Sequence, residues 1–273
     1  MALIVNARMY AVTPDVAADW RTLFARVADE AGVALTYLDH VAPAPLEDLW
    51  SRDDLGAVFM CGFPFASAEP QPQLLAAPVP LSPRYCGEPG YCTDFVVRED
   101  RPFRTLQDCF GGRIGWTVHH SQSGYNAVRY HLYRLQQHSR EGRGKPLFTE
   151  WVGPLVTPRA VVDAVLAGRI DVGPLDSLVR DLLERHEPAT MARLRTVGST
   201  AMTPVPPLIA SRGVSIEAVR RLREALLSCG NDPRLRPVLD RLGLRGFAAV
   251  APEDYAVLLR HAREAESADR TSV

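Results

Sequence analysis

The chain has 273 residues, a formal net charge of −1 at pH 7 and 47% hydrophobic residues. This is the composition of a globular protein of one or two domains. The near-zero charge argues against nucleic-acid binding, because nucleic-acid binders usually carry a basic patch or stripe. No stretch approaches the roughly 18 uninterrupted apolar residues of a membrane-spanning helix, so we expect no direct membrane insertion.

The first fifteen residues, "MALIVNARMYAVTPD", do not resemble a secretory signal. They lack a basic first region, and their apolar run extends only from Ala2 to Val5. Taken as written, the sequence predicts a cytoplasmic protein. A periplasmic location is the expectation if the chain is a processed or truncated form.

The five cysteines do not form a metal-binding pattern. Cys61, Cys109 and Cys229 stand alone in apolar or turn contexts and are expected to be small buried residues. Cys86 and Cys92 bracket the segment "GEPGY", where a disulfide would suit an oxidising compartment. For a cytoplasmic chain we expect both to be reduced.

The histidines also give no metal-ligand spacing. His119 and His120 are adjacent, and the sequence contains no HExxH motif. It also lacks a phosphate-binding P-loop and a dinucleotide-binding glycine fingerprint. We therefore expect no metal and no cofactor.

The first part of the chain alternates strands and helices. Thr13 is a predicted N-cap, with Pro14 at the first helical position and apolar residues at helical spacing from Val16 to Ala31. The pattern predicts strands at 2–6, 33–38 and 56–60, and a short helix at 46–50. Such a strand–helix alternation is typical of a parallel α/β sheet.

The rest of the chain repeats this alternation. Strands are predicted at 111–118, 147–153, 169–176, 193–202 and 206–213. Helices are predicted at 123–138, from Pro158 to a stop at Gly168, and at 177–184, 215–228, 233–241 and 252–266.

Two extended stretches interrupt the alternation. A proline-rich segment at 69–89 precedes "TDFVVRED", and a second proline-rich segment at 203–207 precedes another extended run. Two such crossings are what a two-lobed protein needs when its chain leaves one lobe and later returns. We therefore expect residues 1–92 and 204–273 to form lobe one, which is discontinuous, and residues 93–203 to form lobe two.

The segment "VHHSQSGYNAVRYHL" at 118–132 places Ser121, Gln122 and Ser123 before Gly124 at the start of a predicted helix. Serine is a preferred N-cap, which is one interpretation. A helix N-terminus also attracts anions, because its backbone N–H groups are unpaired and its dipole is positive. The residues of this segment alone favour capping.

Several motifs, in their order along the chain, resemble one family. They are "RYCGEPGYCTDFVVRED", "FRTLQDCFGGRIGW", "SQSGYNAVRYHL", "VTPRAVVDAVLAGRIDVGPLDS" and "TPVPPLIASRG". They resemble the phosphonate/phosphate-type substrate-binding components of ABC transporters, which have the type 2 periplasmic binding protein fold. The resemblance implies an α/β protein of two lobes, each a mixed sheet flanked by helices, joined by two crossover segments.

The most specific motif is the run Ser121-Gln122-Ser123-Gly124-Tyr125, which is similar to the family's "S-T-S-G-Y" turn. In that family the turn holds phosphonate or phosphate oxygens, so the resemblance favours an anion site over capping alone.

The resemblance also implies further ligand contacts at Tyr91 and in the run Cys61-Gly62-Phe63, and the expected ligand-binding set includes Tyr10, Thr157 and Asp176 as well. Tyr10 and Tyr91 have a packing role as their alternative. Asp176 is equally explained as the N-cap of the next helix.

Two departures from the family's pattern concern the identity of the anion. Where the family commonly has Ser-His, this chain has Pro154, Leu155, Thr157 and Pro158, with no histidine. Gln122 replaces a hydroxyl by a longer amide. A phosphonate, phosphate, sulfonate or carboxylate would each suit such a site.

The function implied by the resemblance is capture of a small anionic ligand in a cleft between the lobes, without catalytic residues. An ABC permease is the implied protein partner, and a monomer is expected. One alternative is a cytoplasmic enzyme on the same fold, with Cys61 as nucleophile and His119 or His120 as base. Another is a ligand sensor that signals to a protein partner.

Overall fold

The computed structural model describes residues 2–138 and 146–270. Its strands are β1 (Leu3–Asn6), β2 (Leu35–Tyr37), β3 (Leu55–Phe59), β4 (Gln73–Pro80), β5 (Gly90–Tyr91), β6 (Thr93–Arg98), β7 (Arg113–Gly115), β8 (Glu150–Val152), β9 (Gly173–Asp176), β10 (Leu194–Ser199), β11 (Thr203–Pro204), β12 (Leu208–Ala210) and β13 (Leu244–Ala248). Its α-helices are α1 (Pro14–Ala31), α2 (Leu46–Trp50), α3 (Gly62–Ser67), α4 (Ala127–His138), α5 (Pro158–Leu166), α6 (Ser177–His186), α7 (Pro188–Met191), α8 (Ile216–Ser228), α9 (Arg236–Arg241) and α10 (Ala256–Arg270).

The described chain forms two compact units, and the α/β class is confirmed. Unit 1 contains the residues up to Gly90 together with Pro204–Tyr255, and unit 2 contains Tyr91–Thr203 together with the residues from Ala256 onwards. The first two changes of unit are at Tyr91 and Pro204, and the expected boundaries of lobe two are residues 93 and 203. The third change, at Ala256, was not predicted.

The assignment of the last helix differs from the expectation. Residues 256–270 were placed in lobe one, but α10 packs against α4 and belongs to unit 2. Buried residues of α10 include Leu258, Ala262 and Ala265. Their spacing predicts an amphipathic helix but does not identify the surface that the helix covers.

Unit 1 is built on a six-stranded mixed sheet with the order β13-β4-β12-β3-β1-β2. Strand β1 is parallel to β2 and β3, as the initial strand–helix alternation predicts. Strands β12 and β13 enter antiparallel, with β12 between β3 and β4 and β13 beside β4. Helix α8 packs against β3, β4, β13 and α1.

Helix α1 forms where the sequence predicts it. The Thr13 hydroxyl accepts a hydrogen bond from the backbone N–H of Val16 at 3.2 Å, and the chain leaves the helix at Gly32, which has a φ of 58°. On the buried face, Trp20 stacks on Phe24 with ring centroids 5.8 Å apart. This face forms part of the core of unit 1.

Strand β4 lies inside the proline-rich segment at 69–89, for which no strand was predicted. Its pairing with β12 is confined to Gln73, Leu74 and Ala76, whereas its second half, with Pro78 and Pro80, pairs with β13. Proline lacks an N–H and is tolerated in a strand where one side needs no donor. The prolines are therefore compatible with a strand that has a single partner at those positions.

Unit 2 has a three-stranded antiparallel sheet, β10-β6-β9, and a parallel pair, β7 with β8. A parallel bridge between Ile114 and Val172 links the two groups. The core of unit 2 contains Phe95 and Ile114 with Val128 and Leu132 of α4. Helix α4 is thus fixed to the sheet by its apolar face, and this packing positions the turn that precedes it.

No helix among residues 2–138 and 146–270 is long and apolar enough to cross a membrane. The same residues contain no group of three or more metal-ligating side chains that could hold an ion. The five cysteines, all within the described residues, form no disulfide: Cys61, Cys92, Cys109 and Cys229 are buried, and Cys86 is exposed.

Candidate functional site

The candidate site is the turn that leads into α4. Residues Gln122–Asn126 form a π-helical turn, and Ser121 is its N-cap with extended backbone angles. The Ser121 hydroxyl oxygen accepts a hydrogen bond from the backbone N–H of Gly124 at 2.9 Å. The capping interpretation is therefore correct for Ser121. It is compatible with anion binding, because the same hydroxyl retains a proton to donate.

Two side chains outside the capping contact hold the backbone of this turn in place. The Thr93 hydroxyl donates to the carbonyl oxygen of Ser123 at 2.8 Å. The Asn126 amide donates to the carbonyl oxygens of His119 and Ser121, both at 3.0 Å. The turn thus has a fixed shape before any ligand arrives, which reduces the entropy lost on binding.

The turn offers donors that have no other contact. Ser123 is half-buried, and its hydroxyl has no hydrogen-bond partner within the part of the chain that the structure describes. The first backbone N–H groups of any helix lack intrahelical partners, and the helix dipole makes this end positive. Hydroxyl and N–H donors at a positive helix end are suited to an oxyanion.

Gln122 occupies the same turn but lies in a different environment. Its side chain is 1% exposed, and among the described residues its Oε1 atom has no hydrogen-bond partner. It lines a cavity in unit 2 together with residues of α4 and α10.

Thr157 is an N-cap, like Ser121. Its hydroxyl oxygen accepts a hydrogen bond from the backbone N–H of Ala160 at 3.1 Å at the start of α5. Val156, immediately before it, is 38% exposed and has a φ of 66°, a region that a β-branched residue rarely adopts.

Asp176 is also an N-cap, as its alternative interpretation predicts. Its Oδ1 atom accepts hydrogen bonds from the N–H groups of Leu178 and Val179 at 2.9 and 3.1 Å. Burial raises the pKa of this carboxyl to about 7, although the two backbone hydrogen bonds lower it. The charge on Asp176 therefore changes near neutral pH.

Two of the aromatic residues expected at the site, Tyr10 and Tyr91, are buried. Tyr10 of unit 1 is 0% exposed and packs edge-on against Phe59 with ring centroids 4.9 Å apart, so the structure favours its packing interpretation. Tyr91 of unit 2 is 1% exposed. The residues after β3 differ in burial. Cys61, which precedes α3, is buried, whereas Phe63 on α3 is half-buried.

Three residues that shape the turn were not predicted: Thr93, Thr117 and Asn126. Asn126 belongs to the quoted motif, and an amide so close to a helix start could have indicated a backbone contact. Thr93 reaches the turn from β6, 30 residues earlier, and no local pattern identifies it. Thr117 lies in the connection between β7 and the turn, and its close approach to Gly124 is a tertiary contact that its residue type does not predict.

An aromatic cluster adjoins the turn in unit 2 and was also not predicted. His119 lies 4.4 Å from Trp116 and 4.7 Å from Tyr125, measured between ring centroids. Tyr125 in turn is 6.3 Å from Trp151, which is 39% exposed. These rings pack against one another at the base of the turn and restrict the positions that Tyr125 can adopt.

Comparison with protein families matches residues 11–255 to the family described as the periplasmic substrate-binding protein of phosphonate ABC transporters. A curated relative is the phosphonates-binding periplasmic protein of Escherichia coli K12, which is 23% identical over 167 residues. That alignment covers 60% of this chain and 47% of the relative, so the matched region spans about half the length of that protein.

Two solved structures are similar over most of both chains. One is a binding protein component of an ABC phosphonate transporter from Pseudomonas aeruginosa, with a TM-score of 0.82, 16% identity, and coverage of 100% of this chain and 89% of that chain. The other is a Prochlorococcus marinus protein in complex with methylphosphonate, with a TM-score of 0.76, 17% identity, and coverage of 96% and 97%. At these identities the similarity establishes the fold, which is that of the two-lobed periplasmic binding proteins.

Proposed function

This chain belongs to the family of phosphonate periplasmic substrate-binding proteins of ABC transporters, and on that premise we propose that it binds a small phosphonate- or phosphate-like anion at the turn 121–126. The observation that carries the proposal is the helix start itself. Ser121 caps the turn, and Ser123 presents a half-buried hydroxyl that has no partner among the described residues. Thr93 and Asn126 hold the backbone in a fixed geometry around them.

The proposed contacts are hydrogen bonds to anionic oxygens. Ser121, Ser123 and the N–H groups at the helix start are the principal donors, and Gly124 allows the turn to pack against Thr117. Thr157 supplies a further hydroxyl at the start of α5. A hydrogen bond to a charged group contributes about 1.5–3 kcal/mol, compared with about 1 kcal/mol for an N-cap. The same residue can therefore contribute more to binding than to folding.

The remaining expected residues have narrower roles in this proposal. Phe63 is half-buried and has surface to offer to the organic part of a ligand. We assign Tyr10, Tyr91 and Cys61 a supporting role through packing, since they are buried. Asp176 fixes the start of α6, and it would meet an amine or hydroxyl of the ligand only where its second oxygen is reachable.

The biological role that follows is delivery of the ligand to an ABC permease. Members of this family are substrate-binding transport proteins rather than enzymes, and they are periplasmic. We therefore propose the periplasmic side of the membrane as the working compartment, in place of the cytoplasmic expectation.

The test is calorimetric titration of the protein with methylphosphonate and with inorganic phosphate. Ser121→Ala combined with Ser123→Ala should weaken binding of the preferred anion at least a hundredfold, because two charge-assisted hydrogen bonds are lost. The free energy of unfolding without ligand should fall by only about 1 kcal/mol, the contribution of one cap.

Ser215→Ala is the matched control. The Ser215 hydroxyl oxygen caps α8 in unit 1 by accepting from the N–H of Ala218 at 3.2 Å. This variant should lose a similar free energy of unfolding and keep the affinity of the wild type. Unchanged affinity in the double variant, with stability reduced by the capping amount, would show that the turn is only a cap.

A further inference from the structure

Unit 2 contains a cavity of about 420 Å³ that the anion site does not explain. It is bounded by the start of α4, by the segment that follows β10 and by α10. Its lining residues include Gln122, Tyr130, His131, Ala201 and His261. Its volume falls within the range of about 300–1,000 Å³ that is typical of small-molecule sites.

The cavity contains a buried hydrogen-bond acceptor without a partner. Gln122 is 1% exposed, and its Oε1 atom is unpaired within the described residues. A buried polar atom of this kind is costly in the empty protein, because its interaction with water is lost and not replaced. A bound molecule that donates one hydrogen bond to this oxygen would recover that cost.

One wall of the cavity is flat and aromatic. The rings of Tyr130 and His261 are stacked with centroids 3.9 Å apart and an interplanar angle of 8°. The Arg134 guanidinium donates to the Tyr130 hydroxyl at 3.1 Å, which holds the phenol ring in position. Ala127 and Leu135 add apolar surface beside this pair. A planar ring is the shape that such a wall accommodates best.

The charge of the lining also limits the ligand. Burial lowers the pKa of His131, and burial together with nearby arginines lowers that of His261, so both imidazoles are neutral at pH 7. Arg134 is the cation among the described lining residues, and its guanidinium is engaged with Tyr130. The cavity therefore favours an uncharged molecule, in contrast to the turn at Ser121.

We propose that this cavity binds a small uncharged aromatic or heteroaromatic molecule whose N–H or O–H group donates a hydrogen bond to Gln122 Oε1. Of its described lining residues only Gln122 belongs to the turn 121–126, and the other walls come from α4, α10 and the segment after β10.

The experiment uses two pairs of probes that differ by one donor. Indole and phenol carry the donor, whereas 1-methylindole and anisole have the same rings without it. Titration of the full chain, followed by nuclear magnetic resonance or calorimetry, should show indole and phenol binding about tenfold more tightly than their methylated partners, which corresponds to one hydrogen bond to a buried acceptor.

Two variants locate the site. Gln122→Met has a similar volume and no amide, and it should bring the members of each probe pair to equal affinity. Ala201→Trp places a large side chain at the exposed rim of the cavity and should abolish binding of all four probes. Methylphosphonate is titrated into the same samples, and binding of the uncharged probes is expected whether or not that anion binds.

Three outcomes would overturn the proposal: no probe binding to the wild type, equal affinity within each probe pair in the wild type, or undiminished indole binding to Ala201→Trp. If either variant fails to fold, the comparison of probe pairs in the wild type decides the question.

Discussion

Gly124 lies so close to Thr117 that a β-carbon added at Gly124 would stand 2.0 Å from the Thr117 hydroxyl oxygen and 2.9 Å from its Cβ atom. The two residues are also joined through their backbones, since the Thr117 N–H donates to the Gly124 carbonyl oxygen at 3.2 Å. The end of the strand predicted at 111–118 thus packs tightly against the turn before α4. The shape of the candidate anion site depends on the absence of a side chain at Gly124.

We predict that Gly124→Ala lowers the free energy of unfolding by about 1–3 kcal/mol, because the neighbouring atoms must move to accommodate the methyl group. The affinity for the anion should fall as well. Adding Thr117→Ala should restore part of the stability, since it removes the closest atoms. Gly213→Ala is the control: its added β-carbon would have its nearest contact at 3.7 Å, and urea denaturation should show a change below about 0.5 kcal/mol.

The buried carboxyl of Asp176 predicts a pH-dependent stability. Burial raises its folded-state pKa to about 7, above the ordinary value of 3.8. Between these two values the unfolded chain binds fewer protons than the folded chain, so the contribution of this group to stability decreases as the pH rises from about 4 to about 7. Above pH 7 Asp176 is ionised in the folded protein as well, and the full cost of burying its charge lowers the free energy of unfolding.

Asp176→Asn keeps an oxygen that can cap α6 but removes the ionisation. Denaturation at pH 8 should show the variant to be more stable than the wild type by more than about 1 kcal/mol, and the difference should vanish towards pH 4. Asp108→Asn is the control for the direction of the pH dependence, because the pKa of this carboxyl is shifted the opposite way. Hydrogen bonds from the N–H groups of Arg104 and Thr105 lower the pKa of Asp108, so its removal should destabilise the protein at pH 7 and lose that effect in acid. A pH-independent difference for Asp176→Asn would contradict the assignment.

Val156 predicts a stabilising substitution. Its φ of 66° is unfavourable for a β-branched residue, and at 38% exposure it contributes little to the core. Val156→Gly should raise the free energy of unfolding by about 0.5–1 kcal/mol, the relief of strain less the added entropy of the unfolded chain. Val41→Gly, at a residue that is 72% exposed and lacks a positive φ, should instead lower stability slightly in the same thermal unfolding measurement.

Arg241 and Asp19 form a bidentate ion pair between α9 and α1 within unit 1. The guanidinium Nε lies 3.0 Å from both carboxylate oxygens, its Nη2 lies 2.6 Å from Oδ1, and Asp19 is 7% exposed. Lysine cannot reproduce the fork, so Arg241→Lys should cost about 1–2 kcal/mol in chemical denaturation. Arg236→Lys, at an exposed pair with Asp240 separated by 3.1 Å, should change stability very little. Equal effects would show that the geometry of the fork is unimportant.

The helix starts were the part of the structure most accessible from the sequence. Thr13, Ser121, Thr157 and Asp176 all cap helices through contacts that span two or three residues, and such contacts leave a local pattern. The conformation of the turn at 122–126 could not be predicted from such a local pattern. It depends on Thr93, which contacts the turn from β6, 30 residues earlier, and on the close packing of Thr117 against Gly124.

Strand β4 and the packing of helix α10 are two further features that could not be predicted from the sequence. The prolines of β4 argued against a strand because each lacks an N–H to donate to a neighbouring strand. Whether that donor is needed depends on which side of the strand has a partner, and the sequence does not give this pairing. The helix at 252–266 was predicted, but the surface that it covers was not. Amphipathic spacing determines that a face must be buried and leaves open which surface buries it.

The position of α10 in unit 2 also sets the order in which the two units can be completed during synthesis. Every described residue of unit 1 has been added once the ribosome reaches Tyr255. Unit 2, although most of it is made earlier, must wait for α10 before α4 acquires its contact with that helix. Because domains generally fold as units while the chain emerges, the unit that carries the candidate anion turn is the last to be finished.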